Sequence, residues 1–144
     1  MIESNKLAVL TFFGGAAFTA VLLAALFLNS GTADMVRNTP SIEHAATLAS
    51  RSDSEARMAF YDRVKVRSDR YKILGRCWRM HDSATKAFAV ECLSWVVGED
   101  LRAGKGKMSA ENKVYVLDLA KEVIEKGFQE QKVLAKNIMN SLDS

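Results

Sequence analysis

Leu7 to Leu28 is an uncharged run of twenty-two residues, and no other stretch limits the fold of this chain as strongly. At about 1.5 Å rise per residue, a helix of that length crosses the ~30 Å hydrocarbon core of a bilayer. A secretory signal carries a shorter apolar core, about 7–15 residues, behind a basic flank. Here the flank Met1–Lys6 holds one lysine and one glutamate. The run therefore reads as a retained anchor. A cleavage site at Gly31-Thr32-Ala33 is the competing reading. Lys6 precedes the run and only Arg37 follows it closely, with Asp34 and Glu43 nearby. Positive charge next to a span favours the cytoplasmic side. The expected placement is the bacterial inner membrane, with the N-terminus cytoplasmic and the following domain periplasmic.

The span also has small-residue faces. Thr11, Gly15 and Thr19 recur at four-residue spacing, and Ala16, Ala20 and Ala24 do the same on the adjoining face. Such faces let a second helix approach closely in lipid. Gly and Ala are common in membrane helices generally, so the pattern is a candidate packing surface and equally a background composition.

The rest of the chain predicts an all-α fold: one N-terminal membrane helix followed by a small domain of four to five helices. The expected divisions are a flank (1–6), the span (7–28), a linker (29–40) and the helical domain (41–144). The linker reading rests on Asn, Ser, Gly and Thr together with the chain's one proline, Pro40. Ser41 is placed to cap a helix running to Ser50. Ser52 and Glu55 have the capping-box spacing, predicting a long helix from Glu55 to Met80. Asp82 or Ser83 caps a helix from Ala84 to Arg102, and Ser109 caps another from Ala110 to Lys126. Gly127 is expected as a left-handed stop, and a last helix from Phe128 to Leu142 buries Phe128, Leu134, Ala135, Ile138 and Leu142. No segment alternates apolar and polar residues for long, so no sheet is expected. No helical repeat period is visible.

The Glu55–Met80 segment draws the functional reading. From Arg51 to Arg79, nine basic residues stand against four acidic ones. On one continuous helix, Phe60, Val64, Tyr71, Leu74 and Trp78 form one stripe, while Val66, Ile73, Cys77 and Met80 form a second. A third face carries Lys65, Lys72, Arg76 and Arg79. Two apolar stripes imply neighbours on both sides. They are either elements of the same domain or, for the second stripe, another chain. Partner contact is accordingly expected at Val66, Ile73, Met80, Arg76 and Arg79. The basic face is either solvated or meets anionic lipid or an acidic partner. No nucleic-acid recognition motif is present, and nucleic acid is not expected.

Cys77 and Cys92 flank the His81–Ser83 turn and are a candidate disulfide, offset by roughly 7 Å along straight helices where a bridge needs Cα atoms ~4.4–6.8 Å apart. Two buried thiols are the alternative. Cys77, His81 and Cys92 lack the close cysteine pair of structural zinc sites. No nucleophile elbow, paired-histidine motif or dinucleotide fingerprint occurs. No cofactor, metal or enzymatic activity is expected. The sequence reads as a single-pass structural or interaction subunit of a larger envelope complex, of the secretion or conjugation kind. The alternatives are a cytoplasmic-facing regulator with a lipid-binding basic helix and a membrane-anchored enzyme of unrecognised chemistry.

Overall fold

A computed structural model describes residues 31–104 and 108–143. The expected span, with Thr11, Gly15, Ala16, Thr19, Ala20 and Ala24, lies outside these residues. Among the described residues no helix is long and apolar enough to cross a membrane. They are all-helical: α1 (31–38), α2 (Ile42–Ser50), α3 (Ser54–Lys65), α4 (Arg70–Trp78), α5 (Ser83–Arg102), α6 (Ala110–Lys126) and α7 (Gln129–Asp143).

Residues 31–38 correct the linker expectation. They form a helix whose Ala33 and Val36 are fully buried. Arg63 of α3 secures it by donating to the Val36 carbonyl at 2.8 Å and to Pro40 at 3.3 Å. The helix ends just before Pro40, where a proline disfavours helical geometry in the residue ahead of it.

Three caps fall where side-chain chemistry placed them. Ser41 Oγ accepts from the His44 amide, the Asp82 carboxylate from Thr85, and Ser109 Oγ from Asn112. A fourth moves by one residue. Asp53, rather than Ser52, caps α3, accepting from the Ala56 amide at 3.1 Å.

The largest correction concerns the long helix. It breaks between Lys65 and Arg70, giving α3 and α4. Arg67 donates through Nε to Asp69, and the Arg70 guanidinium donates to the Arg67 carbonyl, so the turn is held by its own side chains. The break resets the helical phase, and the second apolar stripe disappears as a surface. Ile73 and Cys77 are fully buried, Met80 packs against the core, and Val66 stands 78% exposed in the turn.

The helices pair as three successive hairpins, α2–α3, α4–α5 and α6–α7. Neighbouring packing then joins α2 to α4, α4 to α6 and α5 to α7. The core runs along the seam, built on Phe60, Tyr71, Ile73, Leu74, Trp78, Phe88, Leu93 and Leu119. Phe60 and Phe88 meet at 5.5 Å between ring centroids, linking α3 to α5. Such a pair adds about 0.5–1.5 kcal/mol beyond its area burial. At the seam between α4 and α6, Trp78 Nε1 donates to Glu122 at 2.9 Å, so the indole is buried with its polar atom satisfied.

Gly127 joins α6 to α7, but in extended rather than left-handed backbone. Its requirement is steric: a β-carbon there would stand 2.7 Å from the Val123 carbonyl oxygen. Phe128 is 69% exposed, against expectation. Gln131 is buried in its place and accepts from the Phe128 amide at 2.9 Å, completing the start of α7.

Candidate interaction cleft

Of the residues expected to contact a partner, Val66 stands exposed in the α3–α4 turn, while Ile73, Met80, Arg76 and Arg79 are drawn inward or already engaged. Ile73 has no surface to offer. Arg76 Nε donates to Glu43 at 2.7 Å, tying α4 to α2. Arg79 reaches Glu122 at 2.9 Å, tying α4 to α6. Lys65 pairs with Asp62 at 3.2 Å. Three of the four residues of the expected basic face therefore have carboxylate partners within the domain. The arginines lower the pKa values of Glu43 and Glu122, chiefly through these hydrogen bonds.

Cys77 and Cys92 are separate, buried thiols on α4 and α5. Burial pushes Cys77 up to about 12 and Cys92 well above the usual thiol value. Neither is set up as a nucleophile, which requires an accessible thiolate. The described residues contain no group of three histidine, cysteine or acidic side chains able to hold a metal ion.

A different surface emerges along the second helix of each hairpin. α3, α5 and α7 enclose a cleft of about 490 Å³. Its floor is a stripe of α5: Ser94, Trp95, Gly98, Glu99 and Arg102. These positions share a face because spacings of three and four residues return to the same side of a helix. Met58 and Tyr61 form the α3 wall; Asn137, Ile138 and Ser141 form the α7 wall.

Aromatic packing shapes the α3 side. The Tyr61 ring meets Trp95 edge-on at 5.4 Å, and Phe88 meets Trp95 from the core side at 6.4 Å. Trp95 is thus braced from two directions while remaining 38% exposed, with Met58 48% exposed across from it. The Tyr61 hydroxyl donates to Glu99 Oε1 at 2.7 Å. Burial, with the carboxylate beside it, raises this phenol well above its ordinary value. Tyr61 is therefore a fixed donor at neutral pH rather than a proton carrier.

The cleft is reachable with α1 in place. α1 touches α3 through Arg63 and through Glu55, which lies 3.9 Å from Arg37. At about 100° per residue, Glu55 and Arg63 occupy one flank of α3 and Met58 and Tyr61 the other. Among the described residues, α1 therefore leaves the cleft clear.

The sequence reading named Ile138 as a core position of the last helix and gave none of these residues a role in binding. One signal was available: Trp95, Glu99 and Arg102 fall on one face of α5, so a tryptophan sits on an otherwise polar stripe. A large aromatic on a hydrophilic face is a recurring mark of recognition surfaces.

Compared with known proteins, the chain matches no family model, no curated protein and no solved structure.

Proposed function

We propose that this chain is a membrane-anchored helical interaction subunit, with Leu7–Leu28 as its single span and the α3/α5/α7 cleft as its docking site for another protein. The observation that carries the reading is Trp95: a braced, partly exposed tryptophan opposite Met58, in a concavity that contains no catalytic arrangement. Rigid aromatics in concave sites anchor protein contacts at low entropic cost. Stacked hairpins also suit the task, because each adds a helix to a continuous recognition surface.

In this reading the anchor holds the domain at a bacterial inner membrane, facing the periplasm, as part of a larger envelope assembly. Thr11, Gly15, Ala16, Thr19, Ala20 and Ala24 supply the surface for helix packing within the lipid. The lipid-facing alternative draws less support, since Glu43 and Glu122 already engage Arg76 and Arg79.

Photo-crosslinking in native membranes tests the proposal. A crosslinking amino acid replaces Met58 or Trp95 in the cleft, or Lys121 or Glu125 on the outer face of α6. Adducts to one discrete protein from the cleft positions, and none from α6, are expected. Equal adducts from both faces, or none from the cleft, would overturn it.

A further inference from the structure

We propose that the cleft selects a helical segment carrying a carboxylate two turns away from an apolar side chain, with Arg102 as the carboxylate's partner. This rests on the cleft being the docking site and specifies what docks there.

Arg102 differs from the other arginines of the domain. Arg51, Arg57, Arg67, Arg70, Arg76 and Arg79 each pair with a carboxylate. Among the described residues, no hydrogen bond or ion pair occupies the Arg102 guanidinium. The group is nevertheless positioned. It folds back along α5, with Nη1 3.3 Å from where a β-carbon of Gly98 would stand. The missing side chain at Gly98 is what leaves room for it on the cleft floor.

Two features keep a cation there without satisfying its donors. Arg102 lies in the last turn of α5, where the helix dipole favours positive charge. Glu99, one turn earlier, is the cleft's only carboxylate, and the Tyr61 hydroxyl holds it toward the α3 wall. A planar guanidinium with open donors matches an incoming carboxylate in a bidentate fork.

The spacing defines the ligand further. Trp95 and Arg102 are seven residues apart on one helix, or roughly 10 Å at 1.5 Å per residue. A docking helix lying along α5 spans that distance in two turns. It would set an apolar residue against Trp95 and Met58, and a Glu or Asp seven positions away against Arg102. The small floor residues Ser94 and Gly98 allow close approach between the two.

The test uses the full chain in detergent micelles and a synthetic helical peptide with Leu and Phe on one face and Glu seven residues on. Isothermal titration calorimetry measures binding, so that the variant lacking Trp95 is read in the same way as the parent chain. The Glu peptide is expected to bind about tenfold more tightly than its Gln counterpart, with a preference that weakens in salt. Arg102→Gln should abolish the preference, whereas Trp95→Ala should weaken both peptides. Circular dichroism checks that each variant is folded. Equal, Trp95-dependent binding of the Glu and Gln peptides would overturn carboxylate selection while leaving the docking reading intact. Failure of both peptides to bind would overturn this proposal, and the crosslinking pattern would then decide the docking reading separately.

Discussion

Arg70 at the start of α4 closes on Asp100 near the end of α5, donating through Nε at 3.1 Å and Nη2 at 2.8 Å to the same carboxylate oxygen. The Tyr71 hydroxyl donates to that oxygen as well. Both charged side chains are mostly buried, at 15% and 16% exposure. The cluster fixes the end of α5 that carries Glu99 and Arg102, so a structural ion pair sets the geometry of the cleft floor.

Removing Asp100 should therefore cost more than removing a surface ion pair. Asp100→Ala leaves a guanidinium and a phenol without their acceptor. The expected loss is about 2–3 kcal/mol, below the ~3–5 of a fully buried pair because some water remains. Arg70→Ala should cost less, since Tyr71 still engages the carboxylate. Urea titrations of the two variants measure the order, and a larger loss for Arg70→Ala would count against this account. The cluster also sets an alkaline limit. Burial raises the Tyr71 phenol well above its usual value, as it does Tyr61. That contribution is complete below the unfolded phenol value, about 10, and is lost as pH rises from there through the folded value. Tyr71→Phe should weaken stability at neutral pH and flatten its alkaline decline.

At the other end of α5, Asp82 predicts the acid behaviour. It caps the helix through the Thr85 amide, accepts from the Thr85 hydroxyl, and pairs with Arg51. These bonds, led by the one from Arg51, lower its pKa from 3.8 to about 2. A depressed carboxylate stabilises fully above its unfolded value, and that stabilisation is lost as pH falls through the folded one. The loss should fall between about pH 4 and pH 2. Asp82→Asn keeps a capping oxygen but removes the charge, so the variant should lose stability less steeply across that window. Acid unfolding followed by circular dichroism would show it. Parallel curves for the two proteins would contradict the assignment.

Gly75 of α4 lies against the Tyr115 side chain of α6. A β-carbon at Gly75 would overlap the Tyr115 hydroxyl. Alanine is the better helix former by ~1 kcal/mol, but overpacking typically costs about 1–3. Gly75→Ala should destabilise the protein by about 1–2 kcal/mol. In a Tyr115→Phe background the obstructing oxygen is gone, and the same substitution should be close to neutral. A double-mutant cycle by thermal or urea unfolding measures the coupling. Additive effects would mean that Tyr115 moves aside without cost.

How much of this was legible in the sequence follows from which forces are local. Ser41, Asp82 and Ser109 each act on an amide three residues ahead, so their helix starts could be read from the chain. The α3–α4 break could not be read from glycine or proline, because Lys65-Val66-Arg67-Ser68 contains neither. Ser68-Asp69 ahead of an apolar-periodic stretch was the weak signal, overridden by the continuous stripe through Tyr71 and Trp78. A stripe drawn across the break assumed constant phase, which is why Ile73 was assigned to a surface. The α1 helix was hidden because Ala33 and Val36 are isolated apolar residues in a polar stretch, and only tertiary packing buries them. The cleft was the least legible part, since its walls come from three separate helices. Only Trp95 on its polar stripe announced it.

The thiols offer a check on the core. Cys77 and Cys92 are fully buried and both thiols are raised by burial. In the folded protein a soluble disulfide reagent should leave both unmodified. Labelling should proceed at the rate of global unfolding and accelerate with denaturant to the same extent at each position. Fast modification of either cysteine under native conditions would show that the α4–α5 seam opens locally.

Gly98 separates stability from recognition. It sits inside α5, where glycine costs roughly 0.5–1 kcal/mol relative to alanine. A β-carbon there meets only the Arg102 side chain, whose guanidinium can swing into solvent. Gly98→Ala should therefore raise stability by about 0.5 kcal/mol or more, because α5 gains a better helix former and no backbone must move. The same methyl displaces Arg102 from the cleft floor, so the preference for the Glu peptide over the Gln peptide should fall toward unity. A purely structural glycine would give the first effect without the second. Measuring thermal stability and peptide preference on one preparation distinguishes the two, and an unchanged preference in a stabilised variant would remove the positioning role of Gly98.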